Sequence, residues 1–334
     1  MSNLRAAWDW RSERGLFEDR SAVRVFHGPG EGLADLQYFA VDRFNDHYWV
    51  TQWDHPSLTA ARITTQRQVI VDFLRSRGAQ SVVGLDRPQR GVAPQAEVWW
   101  GEAPSDPITV REGSVHFLIR LRETRHPGLF LDHRPLREWL MVRARGWRVL
   151  NTFSYTGSLS VAAALGGAAS VTTLDLSKPS IQWARENFKL NGLPEGESEQ
   201  GNSIVNKFIA GDVFEWLPRL RKSNTLFDCV ILDPPSFSHG KGSHGKKGNF
   251  STAKDLTELH QLALSILAPK GFLVTSINSA NIPWQKFESD LLTAAKEINC
   301  ELQVLRMIDL PETFPTRLGR GADRYLKGWI LRRV

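Results

Sequence analysis

The chain reads as an α/β protein in which a doubly wound parallel sheet follows a smaller α+β domain. Three observations carry that expectation. From Trp147 onward, apolar runs of strand length alternate with segments of helical periodicity, the signature of βαβ units around a buried parallel sheet. Four of those runs end in the small or acidic residues that such sheets place at their carboxyl ends, outside which ligands bind. Ahead of them, from Val23 to about Val115, the texture is one of short alternating segments separated by turns.

The elements follow in order. Residues 1–22 are charged throughout and are expected to form an N-terminal tail. In "QYFAVDRFNDHYWVTQW" an Asn45-Asp46 turn separates two strand-like runs with aromatics at period two, a hairpin pattern. The stretch "SLTAARITTQRQVIVDFLRSRG" has helical periodicity, and the Pro/Gly-rich region from Arg87 to Pro107 reads as long loops or a linker. Residues 23–115 therefore form the small α+β domain and residues 116–334 the larger one. In the latter, strands are expected near Val149–Phe153, Val171–Asp175, Lys207–Ala210, Phe227–Leu232, Phe272–Ser276, Leu302–Ile308 and Tyr325–Leu331. No internal repeat is visible, and the low-complexity stretch is a Gly/His/Lys loop from His239 to Gly248.

Composition narrows the function. With 334 residues, 41% hydrophobic and 23% charged, the chain can bury a substantial core, and its length suggests two domains. The longest weakly polar run, Leu159 to Leu174, carries glycine, serine and threonine and reads as a helix followed by a strand, so no membrane span is expected. The first residues lack the apolar centre of a signal peptide, which points to the cytoplasm. Cys229 and Cys300 lie far apart without Cys-x-x-Cys spacing, arguing against a disulfide framework or structural zinc. His239 and His244 have no acidic or cysteine companion nearby, and no metal site is expected. A formal charge of +6 and a pI near 9.4 favour a polyanionic partner, because neutralising phosphates releases condensed counterions.

The strand ends carry the chemistry. After the first strand comes "NTFSYTGSLSVAAAL", where Gly157 precedes a helix whose free N–H groups can accept an anionic or carboxylate group. The second strand ends in Asp175, placed to hydrogen-bond the two ribose hydroxyls of a nucleoside. The third leads to Gly211-Asp212-Val213, where the acid could take an adenine amine. The fourth ends in Asp233-Pro234-Pro235. Each has a plainer alternative: Gly157 as a tight turn, Asp212 as an N-cap, Asp175 as a cap for the helix near Pro179. A nicotinamide or flavin site would want Gly-x-Gly-x-x-Gly so that the backbone can approach a pyrophosphate. Here only Gly157 is present. S-adenosyl-L-methionine has no phosphate and needs less backbone access, so it is the expected cofactor.

The motifs "HPGLFLDHR", "NTFSYTGS", "DLSKPSIQWARENFKLNGL", "DPPSF" and "YLKGW" resemble the class I S-adenosylmethionine-dependent methyltransferases that modify bacterial large-subunit ribosomal RNA. Within that family the chain is more similar to the guanine-N7 branch than to the cytosine-C5 branch. The resemblance implies a Rossmann-like seven-stranded class I methyltransferase domain whose last strand is antiparallel and inserted before the sixth. It implies ribosomal RNA as partner. It also places "GLFLDHR" at the methionine end of the cofactor, making Phe130, Asp132 and Arg134 candidates, although "LDHRPLREWL" reads equally as an Asp132 N-cap before a helix with an early proline. Phe153, Tyr155, Thr156, Leu176, Ser177 and Val213 flank the strand-end positions and complete the expected cofactor set. Family members often carry a PUA domain that binds RNA. Here about twenty residues precede the hairpin domain, so RNA contact is expected from the α+β domain and from loop residues Lys241, Lys246 and Lys247.

Prolines lack an N–H and fix φ, so Pro234 and Pro235 end the strand ladder and hold the backbone extended as it leaves the sheet. In related amino-group methyltransferases such a motif contacts the target amine and an aromatic residue stacks on its ring. Here Ser236 stands in the fourth position, with Phe237 one later. Asp233, with Pro234, is expected to face the target base or the sulfonium, and Asn278 to offer an amide to a guanine edge. Methylating cytosine C5 needs a thiolate to add at C6. The cytosine branch places its cysteine just after the fifth strand, where this chain reads "TSINSAN". Guanine N7 already presents an in-plane lone pair and needs only alignment, so the expected product is 7-methylguanosine.

Overall fold

The computed structural model describes residues 2–18, 21–32, 36–87, 95–122, 126–196, 205–239, 249–279, 282–319 and 325–334. The chain divides into two compact units, one of Met1–Arg134 with Leu310–Asp323 and one of Pro135–Asp309 with Arg324–Val334.

In the first unit the chain runs α1 (Ser2–Glu13), β1 (Ala22–His27), α2 (Gly28–Glu31), β2 (Phe39–Phe44), β3 (His47–Trp53), α3 (Ala60–Ser76), β4 (Ser81–Arg87), β5 (Gln95–Gly101), β6 (Ile108–Glu112) and β7 (Val115–Ile119). Strands β1 to β5 form a sheet in sequence order, antiparallel except where α3 carries the chain from β3 to a parallel β4. The expected hairpin is present. Phe44 pairs with His47, leaving Asn45 and Asp46 as the turn, and Asn45 takes the left-handed conformation at φ 56°.

Three expectations differ from this unit. The region from Arg87 to Pro107, read as loop, contains β5, whose Val98, Trp99 and Trp100 lie in a strand paired with β4; the flanking proline and glycines hid the run. The charged N-terminal stretch is no tail. It contains α1, which buries Leu4 and Ala7 against β1, β2 and α3, and a fully buried Arg11. That guanidinium is satisfied by the Glu31 carboxylate at 2.6 Å and by the carbonyls of Ala7, Arg24 and Thr313 at 2.7–2.9 Å. Because Thr313 belongs to the inserted segment, residues expected in the larger domain fold with the smaller one. The Phe314 ring lies against His27 and under Arg24, and Arg317 donates to the carbonyls of Gly30 and Gly32.

The second unit begins within α4 (Arg134–Arg143). It continues β8 (Arg148–Thr152), α5 (Ser158–Leu165), β9 (Ser170–Asp175), α6 (Lys178–Leu190), β10 (Val205–Ala210), α7 (Val213–Lys222), β11 (Phe227–Leu232), β12 (Phe237–His239), β13 (Asn249–Ser251), α8 (Thr252–Ser265), β14 (Leu267–Asn278), α9 (Trp284–Glu297), β15 (Leu302–Met307) and β16 (Leu326–Arg333). Among the described residues, seven strands form one sheet in the order β10-β9-β8-β11-β14-β16-β15. All neighbours are parallel except the pairs made by β16, the last strand, which is inserted before β15. The expected topology is therefore present. Chain order reverses between β8 and β11, and the continuous apolar runs of those strands reflect burial on both faces: Val149, Leu150, Val230, Ile231 and Leu232 are all fully buried. Leu150, Leu174, Val230 and Leu232 pack with Leu217, Leu259 and Leu264 from α7 and α8 in one core.

Candidate functional site

The turn after β8 is built under strain. Phe153 and Tyr155 take left-handed backbone conformations at φ 51° and 49°, and Gly157 follows at φ 74°. A bulky residue rarely holds such a conformation unless its surroundings over-determine it. Several contacts do so. The Ser154 N–H donates to the Leu174 carbonyl at 3.1 Å, the Gly157 N–H to the Ser154 carbonyl at 2.8 Å, and the Asn187 amide to the Thr156 carbonyl at 2.9 Å. The Asn151 amide reaches Ser160 Oγ, tying the end of β8 to α5. Gly157 is required for space as well: a Cβ there would stand 2.8 Å from the Cβ of Ala184 on α6.

Asp175 closes the turn from the neighbouring strand. Its two carboxylate oxygens accept the backbone N–H groups of Tyr155 and Ser177, each at 2.8 Å. Burial raises its pKa above the usual aspartate range, against the pull of those two bonds. It does not cap α6. Ser177 does, with its side chain accepting the Ser180 N–H. The carbonyl of Asp175 accepts from Gly211, so the ends of β9 and β10 are joined. Asp212 is the N-cap of α7, accepting the Phe214 N–H at 2.9 Å. Asp212 thus caps its helix through Oδ1, whereas Asp175 caps none. Each carboxylate oxygen of Asp175 has a second acceptor lone pair, and Leu176 beside it is 37% exposed. That combination of a paired acceptor and an exposed apolar side chain suits the ribose and base of a nucleoside.

Asp233 leaves β11 beside the end of β14. The register that sets Leu232 against Thr275 brings it next to Ser276, whose hydroxyl donates to Asp233 Oδ1 at 2.6 Å. Pro234 is buried; the Pro235 carbonyl accepts from Thr252 Oγ1 at 2.7 Å, and Ser236 Oγ donates to the Asn278 carbonyl at 2.8 Å. Asn278 itself is exposed at the end of β14.

The second unit therefore brings together the ends of β8, β9, β10, β11 and β14, and with them most of the expected residues. Some can act only through their backbones. Thr156 and Val213 have buried side chains, and the Phe153 ring packs 5.6 Å from Phe250. Phe130, Asp132 and Arg134 belong to the first unit. There Phe130 stacks on His126 at 3.9 Å and Asp132 sits in a 3₁₀ turn, Leu131–His133, rather than capping an α-helix. Lys241, Lys246, Lys247 and His244 lie outside the described residues. Sequence reasoning missed Ser276 and Thr252; "TSINSAN" was read for a cysteine, yet its hydroxyl two residues before the strand's end was the available signal. Among the described residues no group of three or more metal-ligating side chains occurs, and no helix is long and apolar enough to cross a membrane.

A seven-stranded sheet with this strand order, acids at the ends of β9, β10 and β11 and one glycine turn after β8 define a nucleoside-binding α/β enzyme of the methyltransferase class. The chain belongs to the S-adenosylmethionine-dependent methyltransferase family, whose model matches residues 23–322. It is 31% identical over 319 residues to the "Ribosomal RNA large subunit methyltransferase I" of Aeromonas hydrophila, covering 93% of this chain and 75% of that relative. It is 41% identical over 301 residues to the "Ribosomal RNA large subunit methyltransferase K/L" of Pseudomonas fluorescens, covering 88% of this chain but only 36% of that longer protein. The crystal structure of SMU.776 complexed with SAH shares the fold, with a TM-score of 0.82 and 24% identity over 99% of this chain and 80% of its own. The cofactor is accordingly S-adenosylmethionine, and the acceptor oxygens of Asp175 fit its nucleoside end.

Proposed function

We propose that the protein methylates a base of large-subunit ribosomal RNA, at guanine N7. The observation that carries this reading is the state of the cysteines. Cys229 lies in β11 with its side chain fully buried, and burial pushes its thiol pKa well up. Cys300 follows α9, just before β15, and burial raises its thiol as well. No thiolate is therefore supplied at the carboxyl ends of β11 and β14, where attack on a cytosine ring would need one.

The relatives' names point to ribosomal RNA, and a net charge of +6 favours a polyanion. A cytoplasmic location goes with that substrate. Bound S-adenosylmethionine supplies an electrophilic methyl group on a sulfonium. Asp175 holds the ribose hydroxyls, Asp212 and the adjoining Val213 N–H face the adenine edge, and Leu176 covers the base. The turn ending at Gly157 leads into the N-terminus of α5, whose backbone N–H groups receive the methionine end. Asp233, held by Ser276 and followed by the rigid Pro234, meets the positive charge that passes to the guanine as N7 accepts the methyl group. Asn278 offers its amide to the guanine edge. The base must unstack to reach the strand ends.

Nucleoside analysis and mass mapping of ribosomal RNA from a deletion strain against its complement test the reading. The complement should restore 7-methylguanosine at one position. Recovery of 5-methylcytidine in its place would overturn it.

A further inference from the structure

We propose that Ser276 is a positioning residue for Asp233, fixing the direction in which that carboxylate faces the reacting base. The inference rests on the reading of Asp233 given above. Ser276 is fully buried in β14. Its hydroxyl has a single proton to donate and commits it to Asp233 Oδ1 at 2.6 Å, within the range of short, charge-assisted O–H···O bonds. The parallel register of β11 and β14 puts the two residues side by side across 43 positions of sequence.

Around this bond the backbone of the same segment is pinned by two more hydroxyls. Thr252 Oγ1, at the start of α8, donates to the Pro235 carbonyl at 2.7 Å, and Ser236 Oγ donates to the Asn278 carbonyl at 2.8 Å. Thr275, next to Ser276 and pointing to the opposite face of β14, is engaged by His260 Nε2 at 2.9 Å. Burial lowers the His260 pKa to about 3, so this ring stays neutral. The strand that carries Ser276 is thus anchored on its other face by an uncharged contact. The segment's backbone is held by Thr252 and Ser236, whereas Ser276 acts on the carboxylate itself. A hydroxyl that orients a carboxylate without touching substrate should change turnover and leave binding alone.

The test combines three single variants of Ser276, Asp233→Asn and one double variant, read by kcat, KM and calorimetric affinity. Ser276→Ala and the volume-conserving Ser276→Cys, a weak donor, should each lower kcat about tenfold, while Ser276→Thr restores it to within about threefold. KM for RNA and calorimetric affinity for S-adenosylhomocysteine should stay within about twofold in all three. In an Asp233→Asn background, adding Ser276→Ala should cost nothing further, since the hydroxyl acts through that carboxylate. Unchanged kcat in Ser276→Ala and Ser276→Cys, or losses that multiply with Asp233→Asn, overturns the inference while leaving Asp233 in place. Full activity in Asp233→Asn removes the reading of Asp233, and the role of Ser276 falls with it.

Discussion

The Asp175 carboxylate, at the end of β9, accepts the backbone N–H of Tyr155, a residue held at φ 49° in the turn after β8. One bond therefore joins the acid proposed to hold the ribose to the strained turn that leads into the helix end proposed to receive the methionine. Strain in that turn is sustained because Asp175, Leu174 and Asn187 each occupy one of its backbone polar groups.

Replacing Asp175 by alanine should remove charge-assisted hydrogen bonds worth roughly 1.5–3 kcal/mol each and weaken S-adenosylmethionine binding at least about tenfold. Its pH dependence has a definite sign. Burial raises the Asp175 pKa, and the ionised form is the one with full acceptor capacity, so affinity is complete above the raised value and falls as pH drops through it. The loss should begin above the ordinary aspartate value of 3.8 and be absent in Asp175→Ala. Calorimetry across pH checks both, and an unchanged affinity in the folded variant removes Asp175 from the site.

Gly157→Ala must hold a Cβ at φ 74° and within 2.8 Å of Ala184. A loss of about 1–3 kcal/mol in stability is expected. Denaturant unfolding measures it; a variant as stable as the parent would mean that α6 yields readily beneath the turn.

Arg11 is buried with a carboxylate partner and three backbone carbonyls. Truncating it to methionine leaves Glu31 without that guanidinium, and breaking a buried pair this way costs about 3–5 kcal/mol. The melting temperature should fall sharply in Arg11→Met.

The double variant Cys229→Ser, Cys300→Ser should keep full methyl transfer per folded molecule. Its stability should drop by about 1–3 kcal/mol, chiefly from the buried hydroxyl at position 229. Abolished transfer in a stably folded double variant would make one of these thiols a participant and reopen cytosine as the target.

Changing Lys241, Lys246 and Lys247 to alanine should weaken RNA binding across sequences and flatten its salt dependence by up to about three contacts. Cofactor affinity should not move. An unchanged salt slope would leave those lysines without a role in RNA binding.

The sequence alone determined where β8, β9, β10 and β11 run and stop. Apolar runs of β8, β9 and β11 and the residues that terminate them are local features, so Gly157, Asp175, Asp212 and Asp233 were legible from spacing. Other parts were decided by contacts between distant segments. The charge of α1 concealed Leu4, Ala7 and a guanidinium that is buried only because Glu31 and Thr313 meet it. Residues 310–319, between β15 and β16, fold with the N-terminal unit, which strand periodicity does not encode. Whether Asp212 caps a helix, whether the Phe153 ring turns to the core, and which hydroxyl stands beside Asp233 depend on cross-strand register and helix packing. Local propensity fixes where a strand stops; only the pairing of β11 with β14 brings Ser276 to the acid that follows it.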